Sequence, residues 1–392
     1  MSSQQDNFGV ACKKGDVEAT RFLLGDTQVN PAYNENEAVR WACRYGHVGV
    51  VRILLGDARV DPTDKENEAM TLACHFGHVD VVRLLLDDGR INPANGYNGY
   101  NNAILWACMK GHIDVVRLLL ADVRVNPADF ENQAIQKACS NGHMNVVRLL
   151  LADDRVNPAD AHNLAIEWAC QKGHIDVVRL LLADTRVNPA DKKNAAMRRA
   201  CENGHADVVQ LLLADRRVNP ADDNNLAIIL ACGSGHLDVI RLLLADDRVN
   251  PADRNNEAIR CACACGAADV ACLLLMDPRI DIHHVVSTFP KLVERCRDDE
   301  SFCALLALSG IEPYCEKYGA LDCDVYNLDV LRYWQKTRYI NLYKDDKKLR
   351  NGLYGVLLEH RLEVANLYDS AALTSRLPIE MIELVLVFIY IP

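Results

Sequence analysis

Hydrophobic and polar residues follow a pattern that repeats along most of the chain. Each copy contains an alanine–cysteine pair preceded by apolar residues at helical spacing, as in Ala134, Ile135, Ala138 and Cys139. A second apolar run, Val-Val-Arg-Leu-Leu-Leu in consensus, follows each pair. The pattern predicts two short amphipathic helices per copy. The marker cysteines, spaced by 31 residues with one interval of 34, are Cys12, Cys43, Cys74, Cys108, Cys139, Cys170, Cys201, Cys232 and Cys263.

Polar residues and turn formers separate the predicted helices. A Gly-His pair such as Gly46-His47 is expected to end the first helix and start the second. An aspartate two residues after the histidine, such as Asp80, lies in the second helix's first turn, where the helix dipole favours it. Arg-Val-Asn-Pro then ends the second helix. The asparagines predicted to cap the first helix with their side chains are Asn36, Asn67, Asn132, Asn163, Asn194, Asn225 and Asn256.

Two short helices cannot bury an apolar face alone, so the copies must stack into a solenoid. The consensus Gly-His-x-Asp-Val-Val-Arg-Leu-Leu-Leu, followed by Val-Asn, resembles the second helix and hairpin start of ankyrin repeats. The resemblance covers residues 6–282 as nine repeats, with a period of 31 rather than the usual 33. It implies an all-α ankyrin-repeat solenoid of helix-turn-helix units with short β-hairpin-like loops. It also implies a non-catalytic scaffold that binds a partner protein on its concave surface.

Histidine and arginine also recur once per repeat, and stacking of the repeats would align each of them in a column. The histidines from His47 to His236 occupy a position that is structural in the ankyrin family, where hydrogen bonds join helix start and loop. The second-helix arginines are expected to form a solvated helix face rather than a phosphate site. They are Arg52, Arg83, Arg117, Arg148, Arg179 and Arg241.

The first helices carry the predicted partner site. Two variable positions, the second before and the second after each marker cysteine, lie four residues apart on one helix face. In the N-terminal half they hold aromatic and apolar residues, and an insertion adds two tyrosines to one enlarged loop. The alternative, equally open, is that the tryptophans are partly buried between neighbouring first helices. The predicted partner-binding residues are Trp41, Tyr45, Phe76, Tyr97, Tyr100, Trp106 and Trp168.

The repeat fades towards the C-terminus. Residues 283–313 are predicted to be a degenerate tenth repeat or cap, and residues 314–392 a helical C-terminal region. The segment that begins at Leu377-Pro378-Ile379-Glu380 resembles the start of an F-box, and poxviral ankyrin proteins have a similar arrangement. That resemblance implies a substrate-recruiting adaptor of a cullin-type ubiquitin ligase, with Leu377, Pro378 and Glu380 docking the ligase's adaptor subunit. The alternative reading, which such a short match favours, is a helix start that packs on the tail.

Charge and cysteine usage narrow the expected partners and compartment. The net charge of −11 argues against nucleic acid or an anionic membrane as the main partner. Marker cysteines one repeat apart are separated by about 10 Å, which is too far for disulfides. We therefore expect small buried residues in a reducing, cytoplasmic compartment, and the polar N-terminus predicts no signal peptide.

Catalytic and metal-binding motifs are missing from the sequence. Cys261, Cys263, Cys265 and Cys272 cluster along the chain, but the first three would point in different directions from one helix, and paired C-x-x-C motifs are lacking. We find no phosphate-binding loop, dinucleotide fingerprint or H-E-x-x-H motif. The sequence therefore predicts no metal, no cofactor and no enzymatic activity.

Overall fold

The structure, a computed structural model, describes residues 3–96, 102–277 and 279–289. Within these ranges the chain forms nine successive helix pairs and one further helix, α19 (Ile282–Thr288). The first helices of the pairs are α1 (Ser3–Lys14), α3 (Tyr33–Tyr45), α5 (Asp64–Phe76), α7 (Asn102–Lys110), α9 (Asp129–Ser140), α11 (Asp160–Gln171), α13 (Asp191–Glu202), α15 (Asp222–Ser234) and α17 (Asp253–Ala264). The second helices are α2 (Val17–Leu24), α4 (Val48–Leu55), α6 (Val79–Asp87), α8 (Ile113–Ala121), α10 (Met144–Leu151), α12 (Ile175–Leu182), α14 (Ala206–Ala214), α16 (Leu237–Leu244) and α18 (Ala268–Leu275).

The chain divides into two compact units, Met1–Leu242 and Leu243–Pro392. From α1 to α13 each first helix packs on the next first helix and on its own second helix, and the second helices α2 to α14 pack on one another in the same order. In the described part of the second unit, α17 packs on α18. The expected helical solenoid is thus confirmed, whereas most of residues 283–313 and all of 314–392 lie outside the described residues.

The loops between consecutive repeats are turns. The described residues contain no β-strand, and only eight residues, 56–63, separate α4 from α5. The short loops expected from the ankyrin resemblance are therefore present, without paired strands in the described residues. A 31-residue period leaves too little chain for two paired strands, and the loop polar groups bond instead to neighbouring repeats.

The core repeats one arrangement of apolar side chains. Each second helix from α4 onwards buries a leucine completely, as at Leu54, Leu85, Leu119 and Leu150. Burying such a side chain contributes roughly 1.5–3 kcal/mol. The alanine–cysteine pairs of the first helices are buried as well, which lets neighbouring helices approach closely. Because one repeat covers the next, the apolar face is continuous through the first unit.

The marker cysteines are buried free thiols, as the sequence predicts. Burial raises the pKa of Cys12 to about 11 and raises the pKa of Cys43 further. These thiols are therefore protonated at neutral pH, and they act as small apolar residues.

Each typical first helix, as bounded above, includes a short left-handed turn near its start. In the second repeat Asn34, Glu35 and Asn36 all have φ between 53° and 58°, and the Asn36 N–H donates to the Ala32 carbonyl at 3.1 Å. Non-glycine residues in this conformation cost about 1–2 kcal/mol each, and asparagine adopts it more readily than most. Turns of this kind occupy residues 34–36, 65–67, 130–132, 161–163, 192–194, 223–225 and 254–256.

The asparagine that ends the left-handed turn ties its repeat to the following one. The Asn36 amide nitrogen donates to the Asp64 carboxylate at 2.5 Å, and its oxygen accepts from the Asp61 N–H at 2.9 Å. Asn163 makes the equivalent pair of bonds with Asp191 and Asn188. The predicted capping of the first helix by these side chains is therefore wrong, because the left-handed backbone turns the amide towards the next loop.

The Gly-His pairs end and start helices as predicted, and they also connect repeats. Gly46 has φ 76°, and its N–H donates to carbonyls of the preceding turn. His78 Nε2 donates to the Arg44 carbonyl of the preceding repeat at 2.9 Å. A Cβ added at Gly46 would lie 2.5 Å from His78 Nδ1, so backbone conformation and ring contact both require glycine there. The structural interpretation of the histidine column is confirmed.

The arginine of Arg-Val-Asn-Pro also bonds to the preceding repeat. Arg155 Nε and Nη2 donate to the two carboxylate oxygens of Asp153 at 2.9 and 2.7 Å. Its Nη1 and Nη2 also donate to the Val125 and Leu120 carbonyls of the preceding repeat at 2.9 and 3.0 Å. The Arg155 hydrogen bond lowers the pKa of Asp153, so the pair stays charged.

This arrangement of an arginine, its aspartate and two carbonyls of the preceding repeat, which we call the clamp, recurs through the first unit with little variation. In each case the guanidinium lies beside the last turn of the preceding second helix, where carbonyls lack helical partners and the dipole favours a cation. Arg279 makes the same contacts to Val249 and Leu244 within the second unit. The first-unit clamps are Arg59–Asp57, Arg90–Asp88, Arg124–Asp122, Arg155–Asp153, Arg186–Asp184 and Arg217–Asp215.

Replacing one clamp arginine tests how much this contact stabilises the stack. We expect Arg155→Lys to lower the free energy of unfolding by about 1–2 kcal/mol, because lysine cannot span the carboxylate and both carbonyls. Arg179→Lys, at an exposed position on α12, is the matched control and should change stability by less than about 0.5 kcal/mol. Urea unfolding followed by circular dichroism measures both. Equal unfolding midpoints for the two variants would show that the clamp contributes nothing.

Candidate functional site

The predicted partner-binding residues that the structure describes lie on the first helices, where their surfaces are only partly covered. Tyr45 on α3 and Phe76 on α5 are 43% and 39% exposed. Trp41, Trp106 and Trp168 are half-buried. The alternative of partial burial therefore applies to the tryptophans, and it leaves part of each indole accessible.

Two of the aromatic side chains stack within α3. The ring centroids of Trp41 and Tyr45 are 5.8 Å apart with an interplanar angle of 13°. This contact follows from their spacing of four residues, which places both side chains on one helix face. The Trp41 indole Nε1 donates to the Glu37 carboxylate at 2.9 Å, which orients the ring. Hydrogen bonds from Asn34 and then from Trp41 lower the pKa of Glu37.

Arg44 and His75 join the aromatic side chains of neighbouring repeats. The Arg44 guanidinium lies 5.6 Å from the Trp41 ring centroid and 5.0 Å from that of Phe76. The His75 ring lies 4.6 Å from Phe76 and 4.7 Å from Trp106. These contacts connect α3, α5 and α7. We call Trp41, Arg44, Tyr45, His75, Phe76 and Trp106 the aromatic ribbon.

The charge state of the ribbon follows from its surroundings. Burial, and then the positive charge of Lys110, lowers the pKa of His75, so its ring is predominantly neutral at neutral pH. Arg44 stays charged, and Lys13 of the first repeat places its ammonium 4.6 Å from the Trp41 centroid. Cation–π contacts of this kind contribute about 0.5–1 kcal/mol at exposed sites. The ribbon therefore combines apolar rings with fixed positive charge.

Sequence reasoning named four members of the ribbon and missed Arg44 and His75. Both occupy the position directly after a marker cysteine. In the sequence this position differs from repeat to repeat and carries no recognisable motif. Its periodicity indicates that the column is exposed, but the ring distances depend on rotamers. The signal that could have found them is the column itself, which holds Lys13, Arg44 and His75 in succession.

The remaining predicted residues do not join the ribbon. Trp168 lies on α11, which α9 separates from α7, and it has no ring contact with the ribbon among the described residues. Tyr97 and Tyr100 lie outside the described residues, so the enlarged loop stays a prediction. The ligase-docking residues of the sequence prediction also lie outside the described residues; they are Leu377, Pro378 and Glu380.

The second-helix arginines are the next group of residues singled out in the sequence. Arg52, Arg83 and Arg117 are exposed, which confirms a solvated face for this part of the column, whereas Arg241 is half-buried and pairs with Asp238 at 3.2 Å.

Of the clustered cysteines, Cys265 is exposed, Cys261 is half-buried, and Cys263 and Cys272 are buried. In the part of the chain that the structure describes, no three histidine, cysteine or acidic side chains come together as metal ligands. No helix in the described ranges has the length and apolarity needed to cross a membrane.

Comparison with known proteins agrees with this architecture. The family model for three copies of ankyrin repeats matches residues 57–130, 104–193 and 197–285, and the single ankyrin-repeat model matches residues 34–68. The crystal structure of the human ASB11 ankyrin repeat domain is similar with 20% sequence identity and a TM-score of 0.40, and the match covers 49% of this chain and 96% of that one. None of the curated proteins matches the chain significantly. Because the family models account for more than half of its residues, the chain belongs to the ankyrin-repeat family.

Proposed function

We propose that the chain is a non-catalytic scaffold that binds a partner protein on the surface of its first helices, centred on the aromatic ribbon. Ankyrin repeats generally mediate protein–protein interaction. The observation that carries the proposal is the chain of ring contacts from Trp41 to Trp106, in which Tyr45 and Phe76 stay substantially exposed.

The physical argument rests on what this surface contains. Interface hot spots are enriched in tryptophan, tyrosine and arginine, and clustered anchors contribute most of the binding energy. Ribbon side chains contact one another before any partner arrives, so binding would cost little side-chain entropy. The tyrosines of the enlarged loop, Tyr97 and Tyr100, are proposed to extend the same contact surface. A cytoplasmic location, and a lack of nucleic acid and membrane as partners, remain part of the proposal.

Removing the two exposed rings tests the binding surface. We expect Tyr45→Ala/Phe76→Ala to reduce partner capture about tenfold or more, because hot-spot aromatics each contribute about 2 kcal/mol. Affinity capture on the full chain with quantitative mass spectrometry measures the loss. The control variant, Phe22→Ala/Val123→Ala, removes side chains that are 80% and 94% exposed away from the first helices. Capture that is equally strong for both variants would contradict the proposed surface.

A second candidate function is recruitment of substrates to a cullin-type ubiquitin ligase. The observation that favours it is the F-box-like sequence that includes Leu377, Pro378 and Glu380. In this proposal the repeats hold the substrate and the C-terminal segment docks the ligase's adaptor subunit.

Deleting residues 376–392 separates the two candidate functions. If the chain is a ligase adaptor, the deletion should abolish co-purification of cullin and adaptor subunits and leave substrate capture unchanged. If the full chain brings down neither subunit, the adaptor role is wrong and the simpler scaffold remains.

A further inference from the structure

Part of the first-helix surface carries a charge opposite to that of the chain as a whole. Three positions on each first helix surround the marker cysteine: the second before it, the first after it and the second after it. We call these positions the first-helix columns. In repeats one to six they hold six lysines or arginines and no aspartate or glutamate, although the chain's net charge is −11. The six cations are Lys13, Lys14, Arg44, Lys110, Lys137 and Lys172.

These cations are not neutralised by the residues that the structure describes. None of the six forms an ion pair with a carboxylate in the described part of the chain. The clamp arginines differ, because each is held by an aspartate two residues earlier. Two acidic residues of the first helices are engaged in other bonds: Glu37 accepts from Trp41 and Asn34, and Glu68 pairs with Arg40 at 2.6 Å.

Apolar and charged groups alternate along the same surface. The aromatic ribbon occupies the columns of repeats two to four, while lysines occupy repeats one, four, five and six. Neighbouring repeats are about 10 Å apart, so six repeats span about 50 Å. An extended peptide covers that distance with about 15 residues.

We infer that the segment held on the first-helix columns of repeats one to six is an acidic extended peptide of a partner protein. This inference rests on the proposed scaffold function and specifies the chemistry of its partner. Carboxylates of the peptide contact the six cations, and its apolar side chains stack on the ribbon between them. Complementary charge of this kind raises association rates and selects among partners.

A peptide suits this surface better than a nucleic acid strand. Stacking rings beside cations also bind single-stranded nucleic acid, but a strand carries one negative charge per nucleotide along its whole length. The surplus acidic residues elsewhere on the chain repel so dense a polyanion. A peptide with a few carboxylates matches six cations spread over about 50 Å and leaves its apolar side chains for the ribbon.

Selection from a random library tests the inference on the full chain. A phage-displayed library of random peptides, each about 16 residues long to cover the columns, is selected against the immobilised protein. We expect the enriched peptides to contain more aspartate and glutamate than the input library. One enriched peptide, labelled with fluorescein, is then titrated by fluorescence anisotropy. Its affinity should fall as added salt shortens the screening length from about 10 Å at 0.1 M to about 3 Å at 1 M.

Two charge-reversal variants with the same net charge distinguish the columns from general electrostatics. Lys110→Glu/Lys137→Glu/Lys172→Glu changes the columns, and Arg52→Glu/Arg83→Glu/Arg117→Glu changes exposed arginines of the second helices. We expect the column variant to bind the peptide at least about tenfold more weakly, and the control to stay within about twofold. Circular dichroism and thermal unfolding verify that both variants fold.

The outcomes separate this inference from the proposed function. If selected peptides lose affinity with Tyr45→Ala/Phe76→Ala but not with the column variant, the scaffold function stands and the acidic partner is wrong. If twenty-nucleotide oligothymidine binds more tightly than the best peptide and loses affinity with the column variant, the surface recognises nucleic acid and the inference is overturned. If selection yields no peptide that depends on either set of residues, both proposals fail.

Discussion

The hydrogen-bonded contact between one repeat and the end of the preceding second helix is the interaction on which the first unit most depends. Two short helices cannot bury their apolar residues alone, so stability comes from neighbours. A buried leucine column supplies the apolar part of this contact without fixing the register of the repeats. The clamp arginine does fix it, because the guanidinium must meet its own aspartate and two carbonyls of the previous repeat. The histidine and asparagine bonds add ties at the first helix and the loop.

These ties leave the side chains of the first-helix columns free to vary, because the histidine bond reaches Arg44 only at its backbone carbonyl. Because loop residues that recur in every typical repeat hold the backbone, adjacent copies can carry Trp41, Leu72 and Trp106 at one position. The same scaffold thus presents rings in repeats two to four and lysines on either side of them. The function proposed here uses this division, because a rigid surface lets side chains that already touch one another meet a partner at little entropic cost.

The sequence was sufficient to predict the helix pairs, their stacking, the Gly-His junctions and the burial of the marker cysteines, because each of these depends on local spacing. It was insufficient to predict where a side chain contacts a neighbouring repeat. Asn36 resembles a helix cap in sequence, yet its left-handed backbone sends the amide to the next loop. Arg155 reads as part of a helix-ending motif, and nothing in the spacing shows that it reaches Val125 and Leu120. The bridging roles of Arg44 and His75 depend on rotamers, which periodicity does not determine.

Zero-length cross-linking of carboxylates to amines tests the central claim most directly, since it joins only groups in contact. With a library-selected peptide bound to the full chain, mass spectrometry should locate cross-links from peptide carboxylates to column lysines such as Lys13, Lys110 and Lys137. Lysines outside the columns, such as Lys65 and Lys193, which already pair with Glu35 and Asp223, should form no cross-links to the peptide. Cross-links confined to lysines outside the columns would contradict an acidic partner held on the first helices.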